Sequence, residues 1–61
     1  MNPTELFEAS LAKVESESIR NWANTAHNRP LFLAICEESV KARHFDPERF
    51  AAYIVALAIG L

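Results

Sequence analysis

The amino-acid sequence predicts an all-α fold, a small three-helix chain that packs as a helical bundle. Apolar residues recur at about 100° per residue, the periodicity that is typical of a helix. Each of the three prolines stands where a helix could begin, because the first helical position has no intrahelical hydrogen bond to lose. No stretch shows the alternation of a strand. We therefore predict a single helical domain over residues 1–61, with helices at about 3–26, 30–44 and 47–60.

The first predicted helix has a clear start and two apolar stripes. Asn2 precedes Pro3, and Glu5 follows three residues after Asn2, which is the spacing of a capping box. The stripes lie next to each other around the helix. They consist of Phe7, Leu11, Val14, Ser18, Trp22 and Thr25, and of Ala12, Ile19, Ala23 and Ala26. Two adjacent stripes predict two packing partners for this helix.

The second predicted helix runs back beside the first one as a long helix–helix hairpin. Pro30 disfavours helical geometry at Arg29, so the turn falls near residues 27–29. A hairpin that turns there brings Arg43 level with Glu15, and both charges fall within apolar sectors of their helices. Two interpretations remain open: Glu15 lies at the margin of the apolar sector and reaches water, or it forms a buried ion pair with Arg43 that contributes to specificity more than to stability.

The third predicted helix is apolar around its whole circumference. Asp46 caps it, Pro47 opens it, and no charged residue follows Arg49. Two other helices can cover only one side of such a helix, so a second copy of the chain is expected to cover the rest. The residues assigned to this self-association are Phe50, Tyr53, Ile54, Val55, Leu57 and Ile59.

The size of the chain also favours a homodimer. A core within 61 residues contributes no more than about 3–5 kcal/mol. Small domains supplement such a core with disulfides, metals or further subunits. A single cysteine excludes an intrachain disulfide, so oligomerisation is the expected supplement.

Residues that could carry chemistry are present, but their spacing argues against an enzyme. Cys36, His44 and Asp46 are the residue types of a cysteine hydrolase, yet eight helical residues place Cys36 and His44 about 12 Å apart along the axis. Asp46 already caps a helix. No histidine or cysteine spacing matches a zinc site, and a single glycine excludes a glycine-rich phosphate loop. We therefore predict no enzymatic activity, no cofactor and no metal.

The remaining signals favour binding to protein. Trp22 joins an apolar body to a polar tip, His44 and Phe45 lie in a loop, where binding residues often occur, and Arg43 lies near that junction, so these four are candidate partner contacts. The alternatives are that Trp22 packs in the core and that Phe45 is a hydrophobic staple before the Asp46 cap. The expected function is a non-enzymatic protein-binding regulator or inhibitor, a class that includes small phage- or plasmid-encoded inhibitors of host proteins. Its expected partners are a second copy and an unidentified protein target.

Two other functions remain open from the sequence. The chain could be a structural or accessory subunit of a larger assembly. It could also be a DNA-binding transcriptional regulator that uses Arg29, Arg43 and Arg49, although a formal net charge of −2 argues against nucleic acid and the apolar third helix is unsuited to reading DNA. The apolar run of residues 50–61 is shorter than the roughly 20 residues that span a bilayer, so a membrane partner is not expected. The expected location of the protein is the cytoplasm.

Overall fold

The computed structural model describes residues 2–60, and they form four α-helices joined by short turns. The helices are α1 (Pro3–Leu11), α2 (Glu17–Ala23), α3 (Asn28–Lys41) and α4 (Pro47–Ala58). No strand occurs within these residues, which confirms the all-α class. The predicted count of three helices is wrong, because the first predicted helix is two helices.

The break between α1 and α2 falls at residues 12–16. A straight helix over residues 3–26 would be about 36 Å long, which exceeds the 28 Å longest dimension of the folded chain. Its overhanging turns would have no helix to pack against. Ser16 ends the break, because its hydroxyl accepts a hydrogen bond at 3.2 Å from the N–H of Ile19 and caps α2.

Arg20 holds the loop between α1 and α2 in place. Its guanidinium donates hydrogen bonds to the backbone carbonyls of Val14 and Glu15. These two carbonyls lie outside any helix, so the arginine supplies the donors that helical geometry would otherwise provide. The loop thereby places Val14 in the interior, where only 1% of its surface is exposed.

The predicted starts of α1 and α4 are confirmed by their caps. The side-chain oxygen of Asn2 accepts a hydrogen bond at 2.9 Å from the N–H of Glu5. The carboxylate of Asp46 accepts one at 3.0 Å from the N–H of Glu48. Both caps follow from residues within three positions of each other, which is why the sequence predicts them correctly.

The helices α3 and α4 end at residues 41 and 58 instead of the predicted 44 and 60. A residue with left-handed backbone geometry follows the end of each helix. Arg43 has a φ of 60°, and Gly60 has a φ of 84°. After α3, the N–H of His44 donates to the carbonyl of Ser39 at 3.4 Å, and the N–H of Arg43 donates to the carbonyl of Val40 at 3.0 Å. These two hydrogen bonds form a Schellman motif with arginine at the position that glycine normally occupies.

The main interhelical contacts join the first pair of helices to the second pair. Both α1 and α2 pack against α3 and α4. Phe32 of α3 lies at the centre of this arrangement, and four aromatic rings surround it at centroid distances of 5.7 to 6.5 Å. Those rings belong to Phe7, Trp22, Phe50 and Tyr53. Each helix therefore contributes an aromatic residue to one cluster.

Aliphatic residues complete the core around this aromatic cluster. They are Leu11, Val14, Ala23, Ala51 and Ile54, and the buried thiol of Cys36 packs with them. Ser10 is also fully buried, and its hydroxyl donates to the carbonyl of Leu6 at 2.9 Å, so its polar group is satisfied within α1.

Candidate protein-interaction surfaces

Large apolar side chains remain exposed on the folded chain, although its total accessible area of 4148 Å² is close to the roughly 4,000 Å² expected for its mass. Folding is therefore as compact as in an ordinary monomer, and the unusual feature is the composition of the surface. The exposed large apolar residues within the described part of the chain are Trp22, Leu31, Ile35, Tyr53, Leu57 and Ile59.

Five of these six residues lie on α2, α3 and α4, and we call this set the aromatic face because two of its members contact Phe32: Trp22, Leu31, Ile35, Tyr53 and Leu57. Trp22 and Tyr53 both contact the Phe32 ring edge-on, at 5.7 and 6.5 Å between centroids. Leu31 and Ile35 are one helical turn apart on α3, as Tyr53 and Leu57 are on α4. The face thus combines two aromatic residues, Trp22 and Tyr53, with three aliphatic ones on α3 and α4.

A small cleft of about 260 Å³ lies at one end of the aromatic face. Ile35 and Tyr53 contribute to its lining from the face, and Ser39, His44 and Arg49 add polar groups. Arg49 is exposed and lies in the first turn of α4, where the helix dipole favours an acidic residue. The guanidinium is therefore at a position where it does not help its own helix.

The sixth residue, Ile59, belongs to a separate groove of about 810 Å³, here called the alanine groove. Residues 13–16 and Ile19 line one side of it, and α4 provides the other side through Glu48, Ala51, Ala52, Val55, Ala56 and Ile59. The alanines leave the space that forms the groove. Ile59 projects at the C-terminal end of α4 with 66% of its surface exposed.

The aromatic face and the alanine groove share α4 but lie on different sides of it. Residues two apart in a helix are separated by about 160° around its axis. Leu57 belongs to the aromatic face, and Ile59 to the alanine groove. One helix therefore presents two apolar surfaces that a single partner of ordinary size would not cover together.

The residues predicted for self-association lie in three different places: the core, the aromatic face and the alanine groove. Phe50 and Ile54 are buried in the chain's own core, with 7% and 0% of their surfaces exposed, so they have little surface left to offer a partner. The periodicity of an all-apolar helix shows no polar side from which the core side could be identified. Tyr53 and Leu57 lie on the aromatic face, and Val55 and Ile59 lie in the alanine groove.

The residues predicted as partner contacts are also in different environments. Trp22 is on the aromatic face, and Arg43 and His44 are exposed in the loop after α3. Phe45 is half-buried, with its ring 5.5 Å from that of Phe50. It packs as a hydrophobic staple on the start of α4, so most of its surface serves the fold.

The predicted ion pair between Glu15 and Arg43 is not formed. Both residues are exposed, Glu15 in the loop between α1 and α2 and Arg43 in the turn after α3. The prediction required a continuous first helix, and the break at residues 12–16 removes that geometry. Within residues 2–60 the ion pairs instead join Glu8 to Arg29, Glu37 to Lys41 and Glu38 to Lys41, at 3.6, 3.7 and 3.9 Å.

Arg29 cannot contribute to the basic patch that a DNA-binding role would need. Its guanidinium pairs with Glu8, donates to the side chain of Asn24 and lies 5.3 Å from the centroid of the Phe7 ring. This cation–π contact and ion pair fix it against α1. The predicted patch of Arg29, Arg43 and Arg49 is therefore reduced to its last two members.

Cys36 lies in the core, away from the cleft that His44 lines. Burial raises the pKa of the Cys36 thiol from 9.0 to about 11, so it stays protonated at neutral pH.

Residues 2–60 contain no group of three or more side chains placed to hold a metal ion. In the same part of the chain, no helix has the length and hydropathy needed to cross a bilayer.

Several residues of these surfaces were not among the predicted site residues. Leu31 and Ile35 are spaced four residues apart, and this spacing is the sequence signal that they share one side of α3. Val14 and Ile19 contribute to the alanine groove only because the chain turns between them.

Comparisons with protein-family models, with curated protein sequences and with solved structures gave no match to this chain.

Proposed function

We propose that this chain is a non-enzymatic protein-binding regulator or inhibitor that receives its protein target on the aromatic face. The observation that carries the proposal is that the exposed Trp22 and Tyr53 both contact the ring of Phe32, while the exposed Ile35 lines a cleft together with Tyr53. Apolar side chains that lie together on a surface gain about 25 cal/mol per Å² when a partner covers them. Tryptophan and tyrosine are also the residue types that contribute most to binding at the centre of interfaces.

The aromatic face is suited to binding because its large side chains are already held in place. Trp22 and Tyr53 rest against the buried ring of Phe32, so little rotational freedom remains to be lost when a target binds. Arg49 lines the cleft at one end of the face. A target that presents an apolar helix with an acidic residue toward Arg49 would match both features.

A homodimer is the second part of the proposed function. Its support is the apolar surface of α4 that remains outside the aromatic face, including Val55 and the highly exposed Ile59. A two-fold pair would remove that surface from water while leaving the aromatic face of each protomer open. The regulator would then carry two target sites.

Matched substitutions on α4 test the target site. Leu57→Lys places a charge on the aromatic face, and Ile59→Lys places the same charge on the alanine groove. Each immobilised variant is used to capture proteins from a lysate of the cells that encode the chain, and mass spectrometry identifies them. We expect a protein that is retained by wild type and by Ile59→Lys and is lost with Leu57→Lys. Circular dichroism verifies that both variants are folded.

The proposal would be contradicted by a retained protein whose capture is the same with Leu57→Lys as with wild type. Trp22→Ala then provides an independent check, because it removes the largest side chain of the aromatic face without adding a charge. Failure of both variants to reduce capture would exclude the aromatic face as the target site.

An accessory subunit of a larger assembly is a second candidate function. The specific observation in its favour is the pair of apolar surfaces on different sides of α4, which suits contact with two different neighbours. Light scattering on the isolated chain separates the two functions. A regulator gives a defined dimer, whereas a subunit without its neighbours gives large or polydisperse species.

A further inference from the structure

We propose that a second copy of this chain occupies the alanine groove, with Ile59 of each protomer entering the groove of its partner. This inference rests on the homodimer of the proposed function and specifies its interface. It concerns a different surface from the target site, so the two can be tested separately.

The shape of the groove is the first argument for a second copy. A two-fold interface requires the same patch on both subunits, so a projection and the recess that receives it must occur together. Ile59 is the most exposed large apolar residue on the described chain and stands at one end of the groove. Ala52 and Ala56 leave the recess. Small residues also let two helices approach to the shorter end of the 8–10 Å range.

The charges on the groove are the second argument. Lys13, Glu15 and Glu48 line it, and none of them belongs to an ion pair within residues 2–60. Charges of both signs on one patch can be matched by the same patch after a two-fold rotation. A partner surface of a single sign would leave either the lysine or the two carboxylates facing a like charge.

The area that a dimer needs is the third argument. A standard interface buries about 800 Å² on each partner, which is close to one fifth of the 4148 Å² that this chain exposes. An interface centred on the alanine groove therefore uses one side and leaves the aromatic face on another.

The decisive experiment measures mass by light scattering across a dilution series of the tag-free chain. We expect wild type to have twice the chain mass of 6.9 kDa at micromolar concentration. Ile59→Lys replaces the apolar projection with a charged one, and Ala52→Lys fills the recess from an exposed position. Each substitution should weaken dimerisation at least a hundredfold. Leu57→Lys, which adds the same charge on the aromatic face, should leave the dimer intact.

Cross-linking gives a second readout that does not depend on the stability of the variants. Ala56→Cys places a thiol in the groove, and Ala34→Cys places one at an exposed position of α3 as the control. The native Cys36 is buried and protonated, so it does not compete for the reagent. A short bis-maleimide should link Ala56→Cys into a covalent dimer at concentrations where Ala34→Cys remains a monomer.

A wild-type chain that is a monomer at every concentration would overturn the inference. A dimer that survives both Ile59→Lys and Ala52→Lys would overturn it as well, because its interface would lie elsewhere. In either case capture of a target that depends on Leu57 would leave the target-binding part of the proposed function standing. Conversely, target capture that does not depend on Leu57, together with a dimer that both groove variants weaken, would overturn the target-binding part and leave the dimer inference standing.

Discussion

The aromatic face and the alanine groove differ in what lies beneath them. The face rests on the buried ring of Phe32, which other large rings surround. The groove is bounded by alanines and by a five-residue loop that the cap at Ser16 holds in place. Two apolar surfaces of one small chain can therefore offer different kinds of binding site. The aromatic face has large side chains that a buried ring holds in place, and the alanine groove has space that small side chains leave empty.

Removing the support of the aromatic face should have the largest effect. Phe32→Ala deletes the ring that contacts four others, and substitutions of this kind cost about 3–5 kcal/mol. That loss is comparable to what the core of so small a domain contributes. We expect the far-UV circular dichroism of a helical protein to be lost at 25 °C.

Ile59→Ala is the control for Phe32→Ala, because it removes an apolar side chain that is exposed on the groove. It should change the free energy of unfolding of the monomer by a few tenths of a kcal/mol, the usual range for surface substitutions. A folded Phe32→Ala with a urea midpoint near that of wild type would show that the aromatic cluster does not hold the face together.

Loosening the wall of the alanine groove should have a smaller effect. Ser16→Ala removes the cap of α2 and should cost about 1 kcal/mol in urea denaturation. Because residues 13–16 line the groove, the variant should also dimerise more weakly. Asp46→Ala removes the equivalent cap of α4 beside the aromatic face and is the matched control. Equal weakening of the dimer by both variants would contradict a specific role for the Ser16 loop.

The loop between α3 and α4 differs in local strain from the loop between α1 and α2, and this difference predicts a substitution that stabilises the chain. Residues 12–16 contain no residue with positive φ, whereas Arg43 in the second loop has a φ of 60°. Arg43→Gly should stabilise the chain by about 1 kcal/mol, because glycine adopts this conformation without a clash of its Cβ. For a domain of this size the melting temperature should rise by about 4–8 °C.

Arg43→Val is the opposing control, since a β-branched residue is the least tolerant of positive φ. It should lower the melting temperature, while Arg43→Asn should lie between valine and glycine. A ranking in which Arg43→Gly melts below wild type would mean that the arginine side chain stabilises the loop by contacts that outweigh the backbone strain.

Features that depend on neighbouring residues were predictable from the sequence. The caps at Asn2 and Asp46 and the two-sided character of α4 follow from local spacing and periodicity, and they are present in the structure. The break between α1 and α2 was not predicted. The apolar stripes continue in register through residues 11–19, so periodicity alone does not show that Ser16 caps a second helix.

The candidate site was less predictable than the fold. Periodicity identified the apolar sides of α4 but could not tell which side the other helices cover, so Phe50 and Ile54 were assigned to self-association although they are buried in the chain's own core. The Glu15–Arg43 pair failed for a related reason, because its geometry depended on a helix that does not continue. Both cases concern distances between elements, which local sequence patterns do not contain.

The short lengths of α1 and α2 have a consequence for how long the molecule persists. Helices of nine and seven residues are below the roughly 12–15 residues at which isolated helices become even marginally stable. Neither can remain once its contacts are lost, so local opening exposes the chain to proteolysis. A bound partner at a hundred times its dissociation constant adds about 2.7 kcal/mol against such opening. Resistance to protease digestion therefore reports how much of the protein is occupied, and unoccupied copies are the first to be degraded.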